Sequence, residues 1–256
     1  MTQDIDHALK GWEFKPGIIQ ARIIEVGEPP NTRQVIQMRL DLGILQMETT
    51  GRPDGAKPHG FDTYYEYLQQ QAAKARRSKK EREFRLSEEQ CMEADREFMQ
   101  FYHRRICWLA LREYERAIQD ADHTLAFMTF VKDHSPNEEY TEQHEVYRAF
   151  VLFHRTQALA ALRMEGDDPE GAIDAVNGGL DKIRAFFEDN GLDEQLDQDA
   201  MVQELKKMQD RIRDMHKIDS TLQEQLDLAV SREEYETAAR LRDAIRKRHK
   251  GNDSMV

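Results

Sequence analysis

Cysteine is scarce: Cys91 and Cys107 are the only two in 256 residues, too few for a disulfide framework or a four-thiolate zinc site. No apolar run approaches the ~18 residues needed to span a bilayer. The polar opening, with Asp4, Asp6 and His7, is unlike a secretory leader. Together these predict a soluble, cytoplasmic chain with no membrane partner. A Gly-x-x-x-x-Gly-Lys-Ser/Thr loop is absent, which excludes an ATPase or helicase built on that phosphate cradle. There is no His-Glu-x-x-His either. His103, His123, His134, His144 and His154 stand ten to twenty residues apart, so no metal or other cofactor is expected. Apolar residues make up 39%, below the roughly 45–50% of a compact domain. That shortage disfavours one deep core and favours charged helical modules. With 49 acids against 37 bases the net charge is −12, which argues against broad nucleic-acid binding.

Proline and glycine mark where the character of the chain changes. Five of the seven prolines precede residue 61, and both residue types nearly vanish from there to Pro136. Residues 1–61 therefore read as a small β-containing module and the remainder as helical. The strand candidates are Ile18–Val26 and Val35–Met47. In the second, Ile36, Met38, Leu40, Leu42 and Ile44 alternate with polar residues and Gly43, the period-two pattern of a half-buried strand. The Gly27–Asn31 loop between them predicts a hairpin, with Trp12 and Phe14 as anchors for it.

Residues 62–190 are expected to form a helical scaffold. Asp62 or Thr63 is placed to cap its first helix, and Ser87-Glu-Glu-Gln90 fits a capping box that opens a second. A break at Arg112–Tyr114 precedes an antiparallel partner, Glu115–Lys132. One helix is read over Glu138–Met164 and another over Pro169–Glu188. Arg112-Glu-Tyr-Glu-Arg-Ala-Ile118 and Asp168-Pro-Glu-Gly-Ala-Ile173 each place a small residue, then Ile, where two helices would cross. They resemble the second half of a tetratricopeptide repeat, although Thr156 and Arg163 stand where the repeat has large residues. Residues 191–219 follow as an acidic linker and connecting helix; the acids begin at 188, and residues 188–199 hold six with no base.

Residues 220–250 form the most specific segment. Leu222, Leu226 and Ala229 share one helix face. Tyr235, Ala238, Leu241 and Ile245 share another, with Ser231 as the second helix's cap and Ala239 leaving room for close contact. Glu236 with Arg240, and Asp243 with Lys247, stand at i,i+4. The order Glu234-Tyr235-Glu236, Ala238-Ala239, Leu241-Arg242-Asp243 with Ile245 resembles the UVR motif, the helical hairpin of UvrB and UvrC. That resemblance implies protein binding, to a second UVR-containing chain or as a homodimer. The residues it would use are Leu222, Leu226, Tyr235, Glu236, Ala238, Ala239, Leu241, Arg242, Asp243 and Ile245. Independently, some 30 residues in two helices bury too little to stand alone and must dock somewhere.

Two other clusters have functional readings. Lys74–Arg85 carries seven bases and two acids; Arg76, Arg77, Lys79 and Lys80 could meet phosphates, or form a solvated helix face. Arg39, Asp41, Glu48 and Asp54 could line a ligand surface or an acid–base site in the N-terminal module, or cap turns. The expectation is a mainly α chain with a small N-terminal β module and a C-terminal UVR-type hairpin. It is expected to act as a non-enzymatic adaptor. A DNA-repair accessory role, with the hairpin on UvrB/UvrC-type proteins and the basic run on DNA, is the alternative. An enzyme using the N-terminal module is the third reading.

Overall fold

The structure, a computed structural model, describes residues 5–77 and 84–252. Among these are ten α-helices and one three-stranded antiparallel sheet, so the chain is mainly α with a small β module near its start. It divides into two compact units, Met1–Ala158 and Leu159–Val256.

The first unit begins with the short helix α1 (Asp6–Leu9). The sheet follows as β1 (Ala21–Val26), β2 (Arg33–Leu40) and β3 (Gly43–Glu48), in that spatial order. The single strand expected over Val35–Met47 is in fact two. The chain reverses at Asp41–Leu42, so that Leu40 faces Gly43 and Ile36 faces Met47. Cross-strand partners then have opposite parity, and the inward residues are Ile36 and Met38 before the turn but Leu45 and Met47 after it. The apolar alternation runs on through the bend, where Leu42 is 89% exposed at the tip. Arg39 holds this turn. Its guanidinium donates to the carbonyls of Leu40, of Asp41 at 3.2 Å and of Gly43 at 3.1 Å, and through Nε to that of Trp12 at 2.9 Å. Trp12 is half-buried, with Arg22 stacked 4.0 Å above its ring.

The helices of this unit are α2 (Tyr64–Arg77), α3 (Glu88–Leu111), α4 (Tyr114–His134), α5 (Glu138–Glu145) and α6 (Arg148–Glu165), the last of which crosses into the second unit. Thr63 Oγ1 accepts from Glu66 N–H, and Ser87 makes the capping box with Gln90. The helix expected over Glu138–Met164 is two, α5 and α6, separated at Val146–Tyr147, where neither glycine nor proline announces a break. Ile36, Met38 and Met47 of the sheet pack on Cys107, Trp108 and Ala117 of α3 and α4. A second cluster joins Tyr64 and Leu68 of α2 to Ala94, Phe127 and Val131.

Buried ion pairs tie loop to helix in this unit. Glu97 is fully buried, yet it accepts from the N–H groups of Tyr64 at 2.6 Å and Tyr65 at 3.1 Å. A carboxylate at the start of α2 thus meets the positive end of a helix dipole. Arg52, from the loop after β3, lies 3.5 Å from Glu97 and 2.8 Å from Glu93. Arg104 holds Asp120 with two bonds, at 2.9 and 2.7 Å, and reaches the carbonyls of Glu48 and Gly51.

The second unit contains α7 (Pro169–Asp189), a 3-10 turn at Asp193–Gln198, α8 (Ala200–His216), α9 (Leu222–Ser231) and α10 (Tyr235–Asn252). Its buried apolar residues include Ile173, Val176, Ile183 and Phe187 from α7, and Val202, Leu205 and Ile212 from α8. The acidic stretch supplies the 3-10 turn and then Asp199, whose carboxylate caps α8 through the N–H groups of Met201 and Val202.

Candidate functional site

Helices α9 and α10 pair as a hairpin, with Ala229 and Ala238 buried where they meet. Small side chains there let the two backbones approach closely. The turn between them ends α9 with a left-handed residue, Glu233 at φ +58°. Glu234 N–H donates to the Ala229 carbonyl at 2.8 Å, and Glu233 N–H to that of Val230 at 3.0 Å. This is the Schellman pattern, which satisfies the last carbonyls of a helix. Ser231 therefore does not cap α10. Its hydroxyl donates back to the Leu228 carbonyl at 2.8 Å, within α9, because the helix runs one turn further than its polar letters suggest. Among the described residues, neither Glu236–Arg240 nor Asp243–Lys247 closes as an ion pair; Arg242 instead sits 4.0 Å from Asp243.

The open end of the hairpin is held by its own unit. Thr221 and Glu224 form a capping box at the start of α9. The Thr221 hydroxyl also donates to Asp174 of α7 at 2.6 Å, and Leu222 N–H donates to Glu170 at 3.2 Å. Glu224 accepts from Asn177 of α7 at 2.8 Å and from Arg213 of α8. From α10, Arg248 pairs with Glu170 and lies 3.7 Å from Asp174. Burial would raise the Glu224 carboxyl, but bonds from Thr221 N–H, Arg213 and Asn177 outweigh it and hold the group below its ordinary range. Asp174 goes the other way. Burial dominates, Glu224 and Glu170 add to it, and the Thr221 hydroxyl and Arg248 only partly offset the rise.

The closed end is unlike the open one. A ten-residue helix is about 15 Å long, which separates the grip from the turn. Around the turn Leu228 is 49% exposed, Val230 52% and Tyr235 69%. Glu236, Arg242 and Asp243 are exposed as well, while Leu222, Leu226, Ala239, Leu241 and Ile245 are half-buried and Ala238 is buried inside the hairpin. The structure thus brings the expected residues onto one two-helix element and sorts them into interior and surface.

The model of the UvrB/uvrC motif matches residues 220–247. The chain carries a UVR motif. No curated protein and no solved structure matches the chain. The matched segment is α9 and α10, and the motif is an interaction element of UvrB- and UvrC-type proteins. Sequence reasoning missed Thr221, Leu228, Val230 and Arg248 of this hairpin. Thr221-Leu-Gln-Glu224 was legible as a capping box; Arg248 was not, since its partners lie 78 and 74 residues away.

The other candidate residues lie apart from this element. Arg76 and Arg77 stand in the last turn of α2, and Lys79 and Lys80 lie outside the described residues. Asp41 is in the β2–β3 turn. Asp54 accepts from Gln100 at 2.9 Å and from Ala56 N–H at 3.0 Å, and lies 3.4 Å from Arg96. Glu48 pairs with Arg33 at 3.0 Å. A polar groove on this side is lined by Arg33, Glu48, Arg52, Lys57 and Asp62 among others, but by neither Asp41 nor Asp54. The histidines are dispersed: His123 stacks on Phe101 at 3.8 Å, and His144 lies 2.9 Å from Asp95. Among the described residues, no three His, Cys, Asp or Glu side chains converge on a possible metal. No helix among them is long and apolar enough to cross a membrane.

Proposed function

We propose that this protein is a non-catalytic adaptor that binds a second helical hairpin through the exposed end of its UVR motif. That hairpin belongs to another copy of the chain or to a UVR-containing partner. The observation that carries this reading is the division of labour within α9–α10. The base is fastened by Thr221, Glu224 and Arg248, while Leu228, Val230 and Tyr235 remain in water. These side chains are already partly covered, so burying the remainder contributes about 1 kcal/mol each, enough for a weak and reversible association. Charge supplies an orientation. Glu233, Glu234 and Glu236 cluster at the turn, and Arg240, Arg242, Arg246 and Lys247 follow along α10. An antiparallel pair sets the acids of one hairpin against the bases of the other, as a two-fold interface requires.

Sedimentation equilibrium of the full chain over a concentration series tests this, alongside capture of a second copy by the tagged full chain. Tyr235→Ser combined with Leu228→Ser leaves the base intact. It should weaken self-association or capture by about tenfold or more, and salt should weaken the wild type. Equal mass distributions and equal capture for wild type and variant would sink the proposal.

A further inference from the structure

In the first unit, a cavity of about 740 Å³ opens among α3, α4, α5 and α6. That volume lies within the roughly 300–1,000 Å³ of small-molecule sites. Phe98, Tyr102, Met128 and Phe150 give it apolar walls. Arg105 also lines it, although this residue is only 2% exposed. Its protein acceptors are both neutral. Nε donates to His154 Nδ1 at 3.4 Å, and Nη1 donates to Thr124 Oγ1 at 3.1 Å. Burial and the neighbouring guanidinium push His154 down to about 4, so the imidazole is uncharged at neutral pH. Burial lowers Arg105 itself to about 10, which leaves it cationic.

Among the described residues Arg105 has no ion pair. The charge of Asp120 reaches it, but that carboxylate is already held by Nε and Nη2 of Arg104. Two buried guanidinium groups therefore share one buried carboxylate. A buried cation is costly without a counter-charge, and two protein acceptors leave most of the five guanidinium N–H groups available to a ligand. The far end of the cavity has the opposite character. Asp95 stands ten residues earlier on α3, about 15 Å along the helix, and accepts from the Tyr140 hydroxyl at 2.7 Å.

We propose that this cavity is a binding site for a small organic monocarboxylate. Its carboxylate would pair with Arg105 and its apolar body would lie along Phe98, Tyr102, Met128 and Phe150. The planar guanidinium fork matches a carboxylate, and the walls select against a compact hydrophilic anion. Asp95 at the other end selects against a second negative charge. This site is independent of the UVR hairpin, and neither proposal depends on the other.

Calorimetric titration of the full chain with phenylbutyrate, indolepropionate and octanoate tests it, beside phenylbutyramide and phenylsuccinate. At least one monocarboxylate should saturate the site, with its amide about tenfold or more weaker and the dicarboxylate weaker too. Arg105→Gln should abolish the preference for acid over amide. Should that variant fail to fold, Met99→Trp decides. Met99 is a half-exposed wall residue, so a larger side chain there obstructs the cavity without touching the core. It should weaken the acid at least severalfold. The proposal is overturned if no acid saturates, if acid and amide bind alike, or if Met99→Trp leaves affinity unchanged.

Discussion

Between α3 and α4, and again between α9 and α10, the chain turns on nearly the same letters: Arg112-Glu-Tyr-Glu-Arg-Ala117 and Glu233-Glu-Tyr-Glu-Thr-Ala238. In both, the first residue is left-handed, at φ +62° and +58°. In both, the next N–H reaches back to the preceding helix, Glu113 to Trp108 at 2.9 Å and Glu234 to Ala229 at 2.8 Å. Both alanines are buried where the helices meet. The turn between α6 and α7 repeats the scheme with Asp167, Asp168, Pro169 and Ala172. What the three turns share is a left-handed residue, then acid-x-acid-x-Ala, with tyrosine between the acids in two of them and Pro169 in the third. What differs is the tyrosine. Tyr114 packs against the cluster containing Trp108 and Ile36, whereas Tyr235 stands in water. The letters specify the turn; the presence or absence of a neighbouring surface decides whether the hairpin closes into a core or remains open to a partner.

That contrast can be broken at four places. Trp108→Ala should destabilise the α3–α4 region by about 4 kcal/mol, as large core truncations do, whereas Tyr235→Ala should cost under about 0.5 kcal/mol; urea unfolding of each variant measures both. A large loss at Tyr235 would mean that this tyrosine is part of a core after all. Next comes His154, which only the first hairpin's surroundings bury. The folded protein keeps it neutral down to about 4, while an unfolded imidazole protonates near 6.5. Its contribution is thus present above pH 6.5 and is lost as pH falls towards 4, by about 3 kcal/mol in all. Unfolding curves of wild type and His154→Gln should diverge across that window; parallel curves would remove His154 from the account. Ala117→Leu and Ala238→Leu both overpack a helix crossing, and each should cost about 1–3 kcal/mol, more at Ala117, where rigid surroundings give less. The smallest effect tests the shared turn itself. Arg112→Gly and Glu233→Gly relieve a left-handed side chain and should raise stability in the same direction, by about 0.5 kcal/mol each. Opposite signs would separate the two turns.

Much of this was legible before any coordinates. The Ser87 capping box, the Thr63 cap, the β-then-α order and the C-terminal hairpin follow from local letters, because capping and turn chemistry act within a few residues. The hidden features are those fixed at a distance. Asp41-Leu42 is not a conventional two-residue turn; Arg39 makes it workable by binding three carbonyls there and that of Trp12. The break at Val146–Tyr147 has no breaker residue. Glu97 and Arg52, 45 positions apart, explain why the Gly51–Gly55 loop is so constrained: it delivers a buried cation to a buried carboxylate. Of the site, the helix pairing was readable and the anchorage was not. Arg105 carried no signal at all, since its lack of a counter-ion is a property of what surrounds it.

Arg248 gives the motif an address. It lies one residue beyond the matched segment 220–247, and the acids it holds, Glu170 and Asp174, lie some fifty residues before that segment begins. A peptide cut to the boundaries of the motif would keep every recognisable letter and lose the fastening at both ends. The portion that can be moved into another protein with its orientation preserved therefore starts no later than α7 and ends no earlier than Arg248.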